Sequence, residues 1–154
     1  MFKFIRPQKI FILVLLIIII GAVFLIIKNQ SQPHACFKKT CFNIELAQTD
    51  TARQAGLMDR EPLKPNQGML FIFPVSEQHP FWMKNMLQNI DIIFLDNDKR
   101  VNFIAANQLP CAADKNCPLI TSPEDTRYVL ELPAGTAKKL NLQIGSQWEH
   151  NIAD

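Results

Sequence analysis

Gly68-Met69-Leu70-Phe71-Ile72-Phe73-Pro74 is the stretch whose reading decides the fold. Every residue between the bounding glycine and proline is apolar, with no polar alternate. So short a run with a breaker at each end reads as a strand. Successive side chains point to opposite faces, so this strand needs cover on both. It therefore belongs at the centre of a sheet. Upstream, Phe42-Asn43-Ile44-Glu45-Leu46 alternates apolar and polar, the pattern of a half-buried strand. Between the two, Thr49-Asp50-Thr51 offers helix caps, and Thr51 with Gln54 has capping-box spacing. A helix is predicted from there to about Met58, ending before Pro62. Gly56 inside it marks close backbone packing or an early end.

Downstream, Phe81-Trp82-Met83 is another short apolar stretch. Residues 90–95 and 101–105 read as strands joined by Asp96-Asn97-Asp98-Lys99, a good turn sequence. Tyr128-Val129-Leu130-Glu131-Leu132 alternates again, residues 136–140 form a short helix, and Gly145 turns the chain into a last strand around 147–152. About seven strands and two short helices, without a repeat or a βαβ period, predict an α+β domain. Its sheet is mostly antiparallel and is expected to curl into a small barrel-like form.

This domain is expected over residues 42–154, entered through a linker at 28–41. Residues 10–27 carry no charged and no strongly polar side chain. As a helix they would extend about 27 Å, close to the ~30 Å hydrocarbon core of a bilayer. Lys3, Arg6 and Lys9 precede the run within a basic segment, residues 1–9, while Lys28 alone follows closely. The positive-inside rule then predicts a single-pass protein of the inner (cytoplasmic) membrane, with a cytoplasmic N-terminus and a periplasmic or other extracytoplasmic domain. A cleaved signal would have a shorter apolar region and small residues at its end, and Lys28-Asn29-Gln30 follows instead.

The chain has 154 residues and a formal charge of +2. Four of its 16 basic residues lie at or before Lys28, and all 14 acidic ones come later, so the extracytoplasmic part has 12 basic against 14 acidic residues, a net −2. Phosphate-backbone binding needs clustered positive charge, so nucleic acid is set aside as a partner. The four cysteines, Cys36, Cys41, Cys111 and Cys117, form two close pairs. Their spacings exceed those of structural zinc sites, and the compartment is oxidising, which favours disulfides. Local pairing is the plainest of three connectivities, and a cross-link between the clusters stays open.

Several segments together resemble one family. They are Arg53-Gln54-Ala55-Gly56-Leu57-Met58-Asp59-Arg60, then the stretch beginning at Gly68, then Phe81-Trp82-Met83-Lys84-Asn85, Asp91-Ile92-Ile93-Phe94 and Leu130-Glu131-Leu132-Pro133-Ala134-Gly135. In this order the chain resembles the DUF192 (UPF0127) family over roughly residues 42–150. The resemblance implies a small β-rich domain, often exported or anchored, and brings no catalytic residue with it. Met86, Asn89 and Ser146 stand where the family usually has Thr, Pro and Asp.

The candidate site is Trp82, Lys84, Asn85 and Asp91, with Arg53 and Glu131 in support. In an extended segment Trp82 and Lys84 share a face, a stacking wall beside a cation. Against this, Trp82 could fill the core and Lys84 could pair with Asp91 or Glu131. Arg53 and Arg60 read as carboxylate or phosphate clamps, or as surface ion pairs. No nucleophile-elbow, phosphate-loop or dinucleotide motif occurs. The expectation is a non-catalytic module for an unknown small ligand or envelope protein, without cofactor or metal. Two alternatives accompany it. One is an enzyme using Asp91 or Glu131 with Lys84. The other is copper handling through His79, Met83 and Met86, whose soft ligands suit Cu(I).

Overall fold

The computed structural model describes residues 7–28, 33–112 and 115–151, with side chains at 12–22, 33–112 and 115–149. Residues 1–6, residues 29–32 of the predicted linker and residue 152 of the predicted last strand lie outside these. The chain divides into two compact units, residues 1–32 and 33–154. The first is a helix, α1 (Pro7–Lys28), which contains the apolar run. Among the described residues no helix is long and apolar enough to cross a membrane.

The second unit contains a seven-stranded mixed sheet. In chain order its elements are β1 (His34–Phe37), β2 (Thr40–Ala47), α2 (Asp50–Ala55), β3 (Gln67–Glu77), β4 (Ile90–Leu95), β5 (Val101–Gln108), β6 (Thr126–Pro133), α3 (Thr136–Lys139) and β7 (Glu149–Asn151). The strand order is β5-β4-β6-β3-β2-β1-β7. The stretch at 68–74 is thus central, as its two apolar faces require. Every ladder but one is antiparallel: β2 and β3 run parallel, Ile44 beside Gly68. The connection between them, residues 48–66, includes α2 and is long enough to return the chain to the same end. A single such crossover leaves no period in the sequence.

The expected barrel-like closure is corrected. The sheet is open, with β5 and β7 at its edges. Among the described residues Arg100 and Gln147 make a single bridge between those edges, and no ladder follows from it. Curling therefore brings the edges near without sealing them.

The sheet carries a core on each face. Met69, Phe71, Ile92, Phe94 and Val129 pack on one side with Leu57, Phe81, Met83 and Met86. Leu70, Ile93, Leu95, Leu130 and Leu132 pack on the other with Phe37, Phe42 and Trp148. All six residues of β4 are buried. Gly68 is required where β3 passes β6, because a Cβ there would stand 2.6 Å from Leu132 Cδ2 and 2.8 Å from the Glu131 carbonyl oxygen.

Helix α2 is shorter than predicted. Its cap is Thr49, whose hydroxyl accepts from Ala52 N at 3.2 Å, so the Thr51 capping box does not form. Gly56, at φ +48°, ends it, the early stop that glycine allows. The 81–83 stretch is a bridge rather than a strand: Phe81 pairs with Ile120 and Lys84 with Cys111, one residue each. Both disulfides are local, Cys36–Cys41 across the β1–β2 hairpin and Cys111–Cys117 within the loop after β5.

Candidate functional site

Glu131 is the anchor of the site. It sits in β6 between Met69 of β3 and Ile92 of β4, so its side chain shares their face. Only 4% of the residue is exposed, and its Oε2 has no hydrogen-bond partner. Burial among apolar neighbours disfavours the carboxylate and raises its pKa to about 8. The group is therefore mostly a neutral acid at pH 7.

Glu131 lines a cleft of about 320 Å³. Phe71 and Phe73 come from β3, Arg53 and the turn at Gly56-Leu57-Met58 from α2, and Pro80, Phe81 and Trp82 from the bridge segment. Phe81 meets Phe71 edge-on at 5.0 Å and Phe73 at 6.2 Å between ring centroids. Trp82 is 44% exposed, so it walls the cleft rather than filling the core.

Two locks fix the walls. Arg53 Nη1 donates to the Gln48 carbonyl at 2.5 Å and the Ile72 carbonyl at 2.7 Å, and Nη2 to Asp50 Oδ1. Its guanidinium carbon lies 5.4 Å from the Phe73 ring centroid. It is thus a fixed, charge-paired part of the wall. Asn85, at φ +54°, donates through Nδ2 to Asp59 Oδ2 at 3.1 Å, and Asp59 N donates back to its carbonyl at 2.9 Å. Asparagine tolerates that left-handed backbone, and the pair holds the turn after α2 against the bridge segment.

The sequence-predicted residues separate. Arg53, Trp82 and Glu131 line the cleft together, and Lys84 places its ammonium 5.4 Å from the Trp82 ring centroid without lining it. Asp91 points to the opposite face of the sheet from Glu131, because β4 and β6 pair Asp91 with Leu132. There it is wholly buried and accepts N–H groups of Asn107 at 2.8 Å, Gly135 at 3.2 Å and Ala137 at 2.8 Å. It holds the start of α3. Arg60 forks onto Glu45 at 2.9 and 2.6 Å and lowers that carboxyl's pKa by hydrogen bonding. Met83 and Met86 are buried in the core, and the His79 ring stacks on Phe73 at 3.5 Å. Among the described residues no group of three His, Cys, Asp or Glu is placed to hold a metal ion. Phe71, Phe73 and Asp50 also line the cleft, and the sequence pattern assigns them to the core strand and the helix cap rather than to the site. The signal for the two phenylalanines was present, since alternate positions of one strand share a face.

The domain is thus a mixed sheet with a small aromatic cleft beside one buried acid. The chain belongs to the DUF192 family, described as Uncharacterized ACR, which it matches over residues 33–150. It is 31% identical over 109 residues to a UPF0127 protein of Thermococcus gammatolerans, a match covering 67% of this chain and 63% of that one. The chain thus spans less than two thirds of that relative's length. A second UPF0127 protein, from Pyrococcus abyssi, is 28% identical over 111 residues, 69% of this chain and 84% of its own. Two crystal structures share the fold at TM-score 0.68 and 32% identity. One is a proposed transcription regulator of Sinorhizobium meliloti, with 77% of this chain and 91% of that one covered. The other is a protein of unknown function from Novosphingobium aromaticivorans, with 76% and 83% covered.

Proposed function

We propose that the folded domain is a non-catalytic small-ligand-binding module, held at the outer face of the cytoplasmic membrane by residues 10–27. The observation that carries the binding reading is the orphan Oε2 of Glu131 in the wall of an aromatic cleft. A buried polar atom without a partner is destabilising, and a ligand that meets it recovers that loss. The volume lies at the lower end of the range for small-molecule sites. A catalytic reading has less support, because the other charged groups lining the cleft among the described residues, Asp50 and Arg53, are bound to each other. The regulator description of the Sinorhizobium relative is not transferred, since 12 basic residues face 14 acidic ones beyond Lys28.

The anchor reading draws on nine consecutive large apolar side chains, Ile12 to Ile20, all exposed along α1. Native mass spectrometry of the full chain, released from detergent and then denatured, tests the binding reading. A small molecule retained by the native chain and lost on Trp82→Ala is the expected result. A bare chain after mild purification, with no molecule from a metabolite extract retained, would count against it.

A further inference from the structure

We infer that the cleft takes a small organic monocation, a primary or methylated amine on an apolar body, with Glu131 as its counter-charge. This rests on the ligand-binding reading and names the chemistry of the ligand. Three charged or titratable side chains line the cleft among the described residues, Asp50, Arg53 and Glu131. Asp50 and Arg53 are bound to each other, and Arg53 is also engaged with the Gln48 and Ile72 carbonyls. The strand neighbours of Glu131, Met69 and Ile92, are apolar. Glu131 is therefore the one uncompensated acid in the lining, and a single positive charge completes it. An ammonium donor meets the orphan oxygen with a charge-assisted hydrogen bond, stronger than a neutral one.

The walls point the same way. Phe71, Phe73, Phe81 and Trp82 surround the space, and aromatic faces attract cations. Two of these rings already hold one: Arg53 lies over Phe73 and Lys84 over Trp82, each at 5.4 Å. A carboxylate ligand would instead set an anion beside Glu131, with the guanidinium already committed. A volume of about 320 Å³ limits the body to roughly one ring with a short side chain.

Titration calorimetry on the full chain in a non-ionic detergent tests this with three probes of similar shape: phenethylammonium, neutral 3-phenylpropanol and anionic 3-phenylpropanoate. At pH 7 the amine should bind roughly tenfold or more tightly than the alcohol, the size of a hydrogen bond to a charged group. Its binding should expel the proton of Glu131. Heats in buffers of different ionisation enthalpy should then show about one proton released, and affinity should rise toward pH 8. Glu131→Gln should remove both the amine's preference over the alcohol and the proton release. Tighter binding of the alcohol or the carboxylate, or an amine preference that survives Glu131→Gln, overturns the amine assignment and leaves the ligand-binding reading standing. Failure of all three probes, together with a bare chain in native mass spectrometry, overturns both. Should the variant not fold, proton release by the unsubstituted chain decides.

Discussion

Glu131 stands in a strand whose alternation, Tyr128, Leu130, Leu132 against Val129 and Glu131, would place it on a solvent-facing side. That side is buried, because β6 is flanked by β3 and β4 and both faces of the sheet carry core. Its acid is raised from 4.5 to about 8 by desolvation. The folded state then holds a proton that the unfolded state has released between these values. The contribution of Glu131 to stability is full below about pH 4.5 and is lost as pH rises to about 8. The loss is on the order of 5 kcal/mol at its largest. Thermal unfolding between pH 5 and 9 should show a falling midpoint, and Glu131→Gln should flatten it. A parallel slope in both proteins would mean another group is responsible. Asp91 has the opposite character, a buried carboxyl fully occupied by three backbone N–H groups. Replacing it with alanine orphans them and should cost about 3 kcal/mol or more in urea unfolding, without changing the cleft's ligand preference. Sequence pattern could name both acids as unusual among apolar neighbours. It could not tell which was satisfied, since that depends on α3 and β5 meeting Asp91 from elsewhere in the chain.

At the scale of elements, the apolar stretch at 68–74, the turn at 96–99 and the alternation at 128–132 were all legible, because each carries its own local period or breaker. Three features were not. β1 has only four residues, His34-Ala35-Cys36-Phe37, too short for a pattern, and it exists as the partner of β2 and β7. The parallel β2–β3 pairing is set by a tertiary return of the chain. The choice of Thr49 over Thr51 as cap turns on backbone geometry that two identical side chains do not reveal. The close approach at Gly68 gives a sharp test. Gly68→Ala should destabilise the domain by about 2 kcal/mol or more, because one of the atoms it meets is backbone and has little room to move. The two disulfides should separate by role. Each closes a short loop, so removing either should cost about 2 kcal/mol. Only Cys111→Ser with Cys117→Ser should also weaken ligand binding. That loop supplies the partners of Phe81 and Lys84, which frame the cleft wall. Equal effects of the two double variants on ligand affinity would remove this distinction.

For the whole molecule, a basic and apolar start precedes a mixed-polarity domain, and the compact units are residues 1–32 and 33–154. If residues 10–27 are the tether, a chain beginning at Pro33 should appear in the soluble fraction with its fold intact, while the full chain stays with membranes after a carbonate wash. Recovery of the full chain in the soluble fraction would dismiss the tether. Barrel-like closure was overestimated because a count of strands says nothing of which edges meet. What the topology does instead is bring the beginning and the end of the folded unit together, His34 beside Asn151 in one antiparallel pair. The backbone thus runs almost as a loop without a fixed starting point. A gene rearranged to join residue 151 to residue 34 through a short glycine-serine linker, with new termini between Asn97 and Asp98, should yield the same sheet. The order in which a ribosome delivers these strands would then be a matter of history rather than a requirement of the architecture.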